Sequence, residues 1–168
     1  PDALLDIARH SIALDDTKFI KEKNNIEDAA KYLNTILIRH PAHATAKEAE
    51  DMSVLLRGQN PGLPDISPSE RFERAEALFS AAKFAPAIAE YNKIRDEVRG
   101  SNNQEYNVKA ALKTAQVLMR LRRYAEAESE LKVLLAGHEG GEIPPNAVYL
   151  MAVCLARQGK LDELIDAE

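Results

Sequence analysis

The sequence predicts an all-α chain, a succession of antiparallel helix hairpins stacked one after another. Three observations lead there. Apolar residues recur with helical spacing along nearly the whole length, and strand-like alternation is absent. Alanine is abundant while aromatic residues are only 5% and Trp is missing, which suits closely approaching helices because Ala loses no side-chain entropy in a helix. Finally, one local pattern built on Ala, Leu and a bulky turn residue occurs three times.

Taken in order, Asp2 caps a first helix from Ala3 to about Glu22, with Leu4, Ile7, Ala8, Ile12, Phe19 and Ile20 on its buried stripe and a break near Asp15-Asp16. Lys23-Asn24-Asn25 reads as a turn. Asn25 then caps a second helix, Ile26 to Arg39, with Asp28 favourable in its first turn. Its buried residues are Ala29, Leu33, Ile36 and Leu37, and Pro41 blocks continuation. A third helix spans about Ala44 to Arg57 and is closed by Gly58. The Pro- and Gly-containing stretch 58–66 is the most loop-like in the chain and divides a single domain, 1–168, into sub-units of about 1–57 and 67–168.

Ser67-Pro68-Ser69-Glu70 is a strong helix start: Ser67 caps, Pro68 fits the first helical position and Glu70 completes a capping box. That helix reaches about Ala82, Lys83-Phe84 turns the chain, and a partner runs from Ala85 to Arg99, with Pro86 tolerated in its opening turn and Gly100 ending it. Asn102 and Glu105 open the next helix, which reaches about Arg122. Its partner runs from Tyr124 to Ala136 and closes at Gly137, before a loop from His138 to Ile143. Pro144-Pro145 start another helix ending before Gly159, and a last one begins at Leu161.

The recurring pattern places Ala75, Leu78, Phe84 and Ala87 in register with Ala115, Leu118, Tyr124 and Ala127, and with Ala152, Leu155, Leu161 and Leu164. Ala and Leu three apart share one helix face. The bulky residue at the turn fills the gap between two helices, and the residue three further on packs back. The turn residues are 40 and then 37 positions apart. From Ile26, where Ile26, Ala29 and Leu33 match the later half of the pattern, to Phe84 the gap is 58, room for an additional helix and the Pro/Gly loop.

Over most of its length this array resembles the tetratricopeptide family, whose period is about 34 residues. The resemblance implies a right-handed α-α superhelix. The family's early Trp and its helix-one Gly are missing, so what carries over is the fold and not a peptide clamp. A narrower resemblance runs from Ile26 to Leu135. Arg39-His40-Pro41 before an Ala-rich helix, then the Pro-containing loop, then Glu70 to Phe79 and Lys83 to Tyr91 look like the N-terminal superhelical region of soluble lytic murein transglycosylases. In that family helix pairs form a curved scaffold ahead of a lysozyme-like catalytic domain.

Chemistry is sparse. The transglycosylase acid is a Glu followed by Ser, and the only such pair, Glu128-Ser129, sits on the polar side of a repeat helix without the Gly-rich, aromatic setting of a catalytic site. No catalytic residue is assigned. His40 and His43, with Glu48 within reach, are too few to hold a metal, and no metal or cofactor is expected. Gly140-Gly141 lacks the Lys-Ser/Thr of a phosphate loop. The lone Cys154 lies in an apolar helical run. A net charge of −5, with no basic block beyond Arg120, Arg122 and Arg123, argues against nucleic acid, and no apolar run is long enough for a membrane span.

What remains is surface. By helical phase Lys109, Gln116 and Arg120 from one hairpin, then Tyr149 and Arg157 from the next, line the concave side of the stack, where the cations could meet an acidic chain end or an anionic glycan. The expected function is a non-catalytic scaffold of a cell-wall lytic transglycosylase, shaping or positioning a separate downstream domain of the same chain on peptidoglycan. The chain, which opens on Pro1 without Met, then reads as part of a longer periplasmic or otherwise extracytoplasmic protein. The alternative is a cytoplasmic protein–protein adaptor that grips a peptide, with no enzyme attached. A third reading is a regulatory module of another multidomain enzyme.

Overall fold

A computed structural model describes residues 1–13, 22–99, 104–137 and 144–160. Among these residues the protein is all-helical, with eight helices and no strand: α1 (Asp2–Ala13), α2 (Glu22–Arg39), α3 (Ala46–Gln59), α4 (Pro68–Ser80), α5 (Phe84–Val98), α6 (Gln104–Arg120), α7 (Tyr124–Ala136) and α8 (Pro145–Gln158). The chain forms two compact units, Pro1–Lys83 and Phe84–Glu168. The loop 58–66, which the sequence reads as dividing two sub-units, lies inside unit 1. The physical reason lies in unit 1, where the loop is tied into the core.

In unit 1, α2 is the centre, with α1, α3 and α4 all packed on it. Its face Ala29, Leu33, Ile36 and Leu37 is buried as the periodicity predicts, against Leu5 and Ala8 of α1 and Ala49 and Leu56 of α3. On α1 the stripe is turned by one residue: Leu5 is buried in place of the expected Ile7, which is 44% exposed. With Leu4 and Leu5 adjacent, helical phase alone does not choose between them. Residues 23–25, expected as a turn with Asn25 as a cap, are helical. A cap is worth about 1 kcal/mol, too weak a local preference to fix a helix start by itself. The expected break near Asp15-Asp16 and the contacts of Phe19 and Ile20 lie outside the described residues.

α3 also outlasts its predicted stop. Gly58 is helical, and the end comes at Asn60, whose backbone N–H and side-chain amide both donate to the Leu56 carbonyl at 3.0 Å, just before Pro61. The following loop is anchored rather than free. Ile66 is buried, Leu63 packs on the core, and the Asp65 carboxylate bridges Arg57 at 3.3 Å and Arg71 at 3.5 Å. Arg57 also donates to Asn34 of α2 at 3.0 Å, and Arg74 of α4 reaches Glu50 of α3 at 3.2 Å. The loop thereby returns the chain past α3 to α2, where α4 packs. The capping box that opens α4 is complete: Ser67 N–H donates to Glu70 Oε2 at 2.8 Å and Glu70 N–H to Ser67 Oγ at 3.3 Å.

In unit 2 each helix packs on the next, and α6 also packs on α8. The core is small and aliphatic: Ala111, Ala115 and Leu118 of α6, Ala127, Leu131 and Leu134 of α7, Ala147, Leu150 and Cys154 of α8. α7 and α8 keep their predicted bounds. Gly100, Asn102, the loop from His138 to Ile143 and the expected final helix with Leu161 and Leu164 lie outside the described residues.

One local geometry recurs at the end of α4, α6 and α8. Lys83 N–H donates to the Leu78 carbonyl at 2.9 Å, Arg123 N–H to Leu118 at 2.8 Å and Lys160 N–H to Leu155 at 2.9 Å. The residue before each donor takes a left-handed conformation: Ala82 at φ 56°, Arg122 at 58° and Gly159 at 75°. These exits are 40 and 37 residues apart, the spacing read from the sequence, and Leu78, Leu118 and Leu155 are the leucines of the repeat. Ala75, Ala87, Ala115 and Ala127 are fully buried, and Ala152 is half-buried.

Candidate binding face

The five residues singled out for binding all fall in unit 2, on two helices in contact. Lys109, Gln116 and Arg120 share one side of α6, while Tyr149 and Arg157 stand two turns apart on α8. Tyr149 is 68% exposed. Gln116 is half-buried, and Arg120 and Arg157 are exposed.

The α6 side of this face is less available than its phase suggests. Leu112 and Met119, on the same side, pack against the core of the unit. Lys109 is not an open charge. Its Nζ lies 2.5 Å from Glu105 Oε1, one turn earlier, and 5.6 Å from the centre of the Tyr106 ring. Accepting that hydrogen bond, Glu105 raises the ammonium above its usual range. Arg120 has an interaction within the chain as well.

Glu128, the only Glu followed by Ser, is placed quite differently from its expected polar surface. Its carboxylate is buried and receives Lys132 at 2.5 Å, Gln158 Nε2 at 2.8 Å and Lys160 at 3.4 Å. The hydrogen bond from Lys132, then those from Gln158 and Lys160, outweigh desolvation and hold its pKa down at about 2. A general acid needs the opposite shift, so the group serves as an ionised tie between α7 and the end of α8. Sequence carried half of this signal, the Glu128/Lys132 pair at i, i+4, but not the partners thirty residues on.

The His40/His43 corner is also consumed by local structure. Thr45 N–H donates to His43 Nδ1 at 3.3 Å, and Thr45 Oγ1 lies 2.9 Å from the same nitrogen. Glu48, expected near these rings, instead accepts from Arg9 Nε of α1 at 3.0 Å. Among the described residues no group of three or more His, Cys, Asp or Glu is placed to hold a metal ion, and no helix is long and apolar enough to cross a membrane. Comparison of the chain with family models, curated proteins and solved structures returned no match.

Proposed function

We propose that this chain is a non-catalytic, tetratricopeptide-like scaffold whose hairpins stack as a right-handed α-α superhelix and offer surface rather than chemistry. The observation that carries this reading is the helix exit repeated at Ala82, Arg122 and Gly159 behind an equivalent Leu. Direct packing of α6 on α8, across the intervening α7, is what neighbouring hairpins of a stack require.

The more specific assignment is the superhelical region of a lytic transglycosylase, positioning a separate catalytic domain on peptidoglycan outside the cytoplasm. Its support is the resemblance of Arg39-His40-Pro41 and of Glu70 to Tyr91 to that family's scaffold. The ionised, internally bound Glu128 fits a segment without its own acid catalyst.

Co-sedimentation with purified cell-wall sacculi, read together with their turbidity, tests both levels. The expected result is protein in the pellet with no clearing. Protein left wholly in the supernatant removes the cell-wall assignment in favour of a protein–protein adaptor, and clearing by this chain alone overturns the non-catalytic reading.

A further inference from the structure

Two bonds fix one end of unit 2. Gln158 and Lys160, at the close of α8, both reach Glu128 in the second turn of α7, so the end of α8 lies beside the start of α7 and the turn 121–123 that leads into it. Arg120, Arg122 and Arg123 lie at this turn and Arg157 and Lys160 at the end of α8, in a chain whose net charge is −5. The carboxylates at the start of α7 are already occupied. Glu126 takes Arg123 through two bonds of 2.6 and 2.5 Å, and Glu128 takes Lys132 and Lys160. Arg122 and Arg157 are exposed and have no ion-pair partner among the described residues.

Two further features bear on what could bind. Arg122 is held at φ 58°, where the equivalent exit residue of α8 is Gly159. Left-handed backbone disfavours any residue with a Cβ by about 1–2 kcal/mol, so Arg122, like Ala82, sits at a position better suited to glycine. Between Arg120 and Arg122, Leu121 is 38% exposed. Exposed cations together with an exposed apolar side chain match an acidic peptide with an apolar residue better than a bare polyanion. A long polyanion would also meet the repulsion of the net negative chain.

We propose that the end of unit 2 formed by Leu121, Arg122 and Arg157 docks an acidic, leucine-containing segment of a partner protein. This surface goes beyond the scaffold reading and involves unit 2 alone.

The test is fluorescence anisotropy of the full chain with a short, end-blocked peptide of Asp, Glu and Leu, alongside the same peptide with Ser for Leu. The Leu peptide binds more tightly, and its affinity falls as salt rises. Arg122→Glu with Arg157→Glu weakens it by about tenfold or more, equivalent to losing about 1.4 kcal/mol. Arg122→Gly separates docking from folding, because it raises thermal stability while lowering affinity. Absence of binding by the unsubstituted chain, unchanged affinity in the double variant, or equal binding of the Ser peptide each overturns the proposal. Sacculus binding is a separate readout, so either result can fail without the other.

Discussion

Unit 1 and unit 2 reach the same class of structure by different means. Unit 2 is periodic: its helices pack in sequence order, its interfaces are lined by Ala and Leu, and α6 and α8 leave through the same bonded turn that also closes α4 of unit 1. Unit 1 is centred on α2, makes an excursion through α3, and brings the chain back with a loop fastened by Asp65 between Arg57 and Arg71. Repetition lets one small set of contacts specify a helix pair anywhere along the chain. An excursion needs its own polar ties, each made by residues that occur once.

The largest effects come from the two cores and are similar in size. Leu131→Ala in unit 2 and Leu33→Ala in unit 1 each remove a fully buried side chain and cost about 2–5 kcal/mol. Hydrogen exchange resolves the comparison, with Leu131→Ala accelerating amides of α6–α8 and Leu33→Ala those of α1–α3. Accelerated exchange spread evenly over both units in either variant would break the distinction between them.

Next in size is the Glu128 tie. Glu128→Gln costs about 1.5–3 kcal/mol at neutral pH, the range for hydrogen bonds to a charged group. Because the folded pKa is depressed, the wild-type advantage is complete above about 4.5 and fades as pH falls toward about 2. Thermal melts of both proteins across that window check the sign; an advantage that grew with acid would contradict the assigned charge state.

Turn substitutions sharpen the comparison at smaller cost. Ala82→Gly, closing unit 1, raises stability, and Gly159→Ala, closing α8, lowers it, each by about 1 kcal/mol. Smaller still is Thr114→Val. The Thr114 hydroxyl is buried with no partner among the described residues, so replacing it with a methyl group stabilises unit 2 by up to about 1 kcal/mol, measured in urea.

The contrast between units also explains what could be read in advance. Short-range chemistry was legible: the Ser67/Glu70 box, the bounds of α7, the stop at Gly159 and the equivalence of Leu78, Leu118 and Leu155 all depend on residues within a few positions of each other. The start of α2 and the end of α3 were misplaced because Asn25 and Gly58 are weak signals, and at α3 the Asn60 amide supplies the actual end. Asp65 bridging Arg57 and Arg71 has no periodicity to betray it, so a Pro/Gly stretch looked like a seam. On the candidate face, helical phase offered Lys109 as an open cation, whereas Glu105 at i−4 already holds its charge.

Cys154 sits in the centre of the unit 2 core, fully enclosed, and is the chain's single cysteine. Enclosure pushes its thiol pKa up, so little thiolate forms at neutral pH. Nature has thus supplied a one-site chemical clock. Alkylation of the native protein proceeds only as fast as α8 parts from α6 and α7, and its rate in any variant or ligand complex times that opening without a dye or an added label.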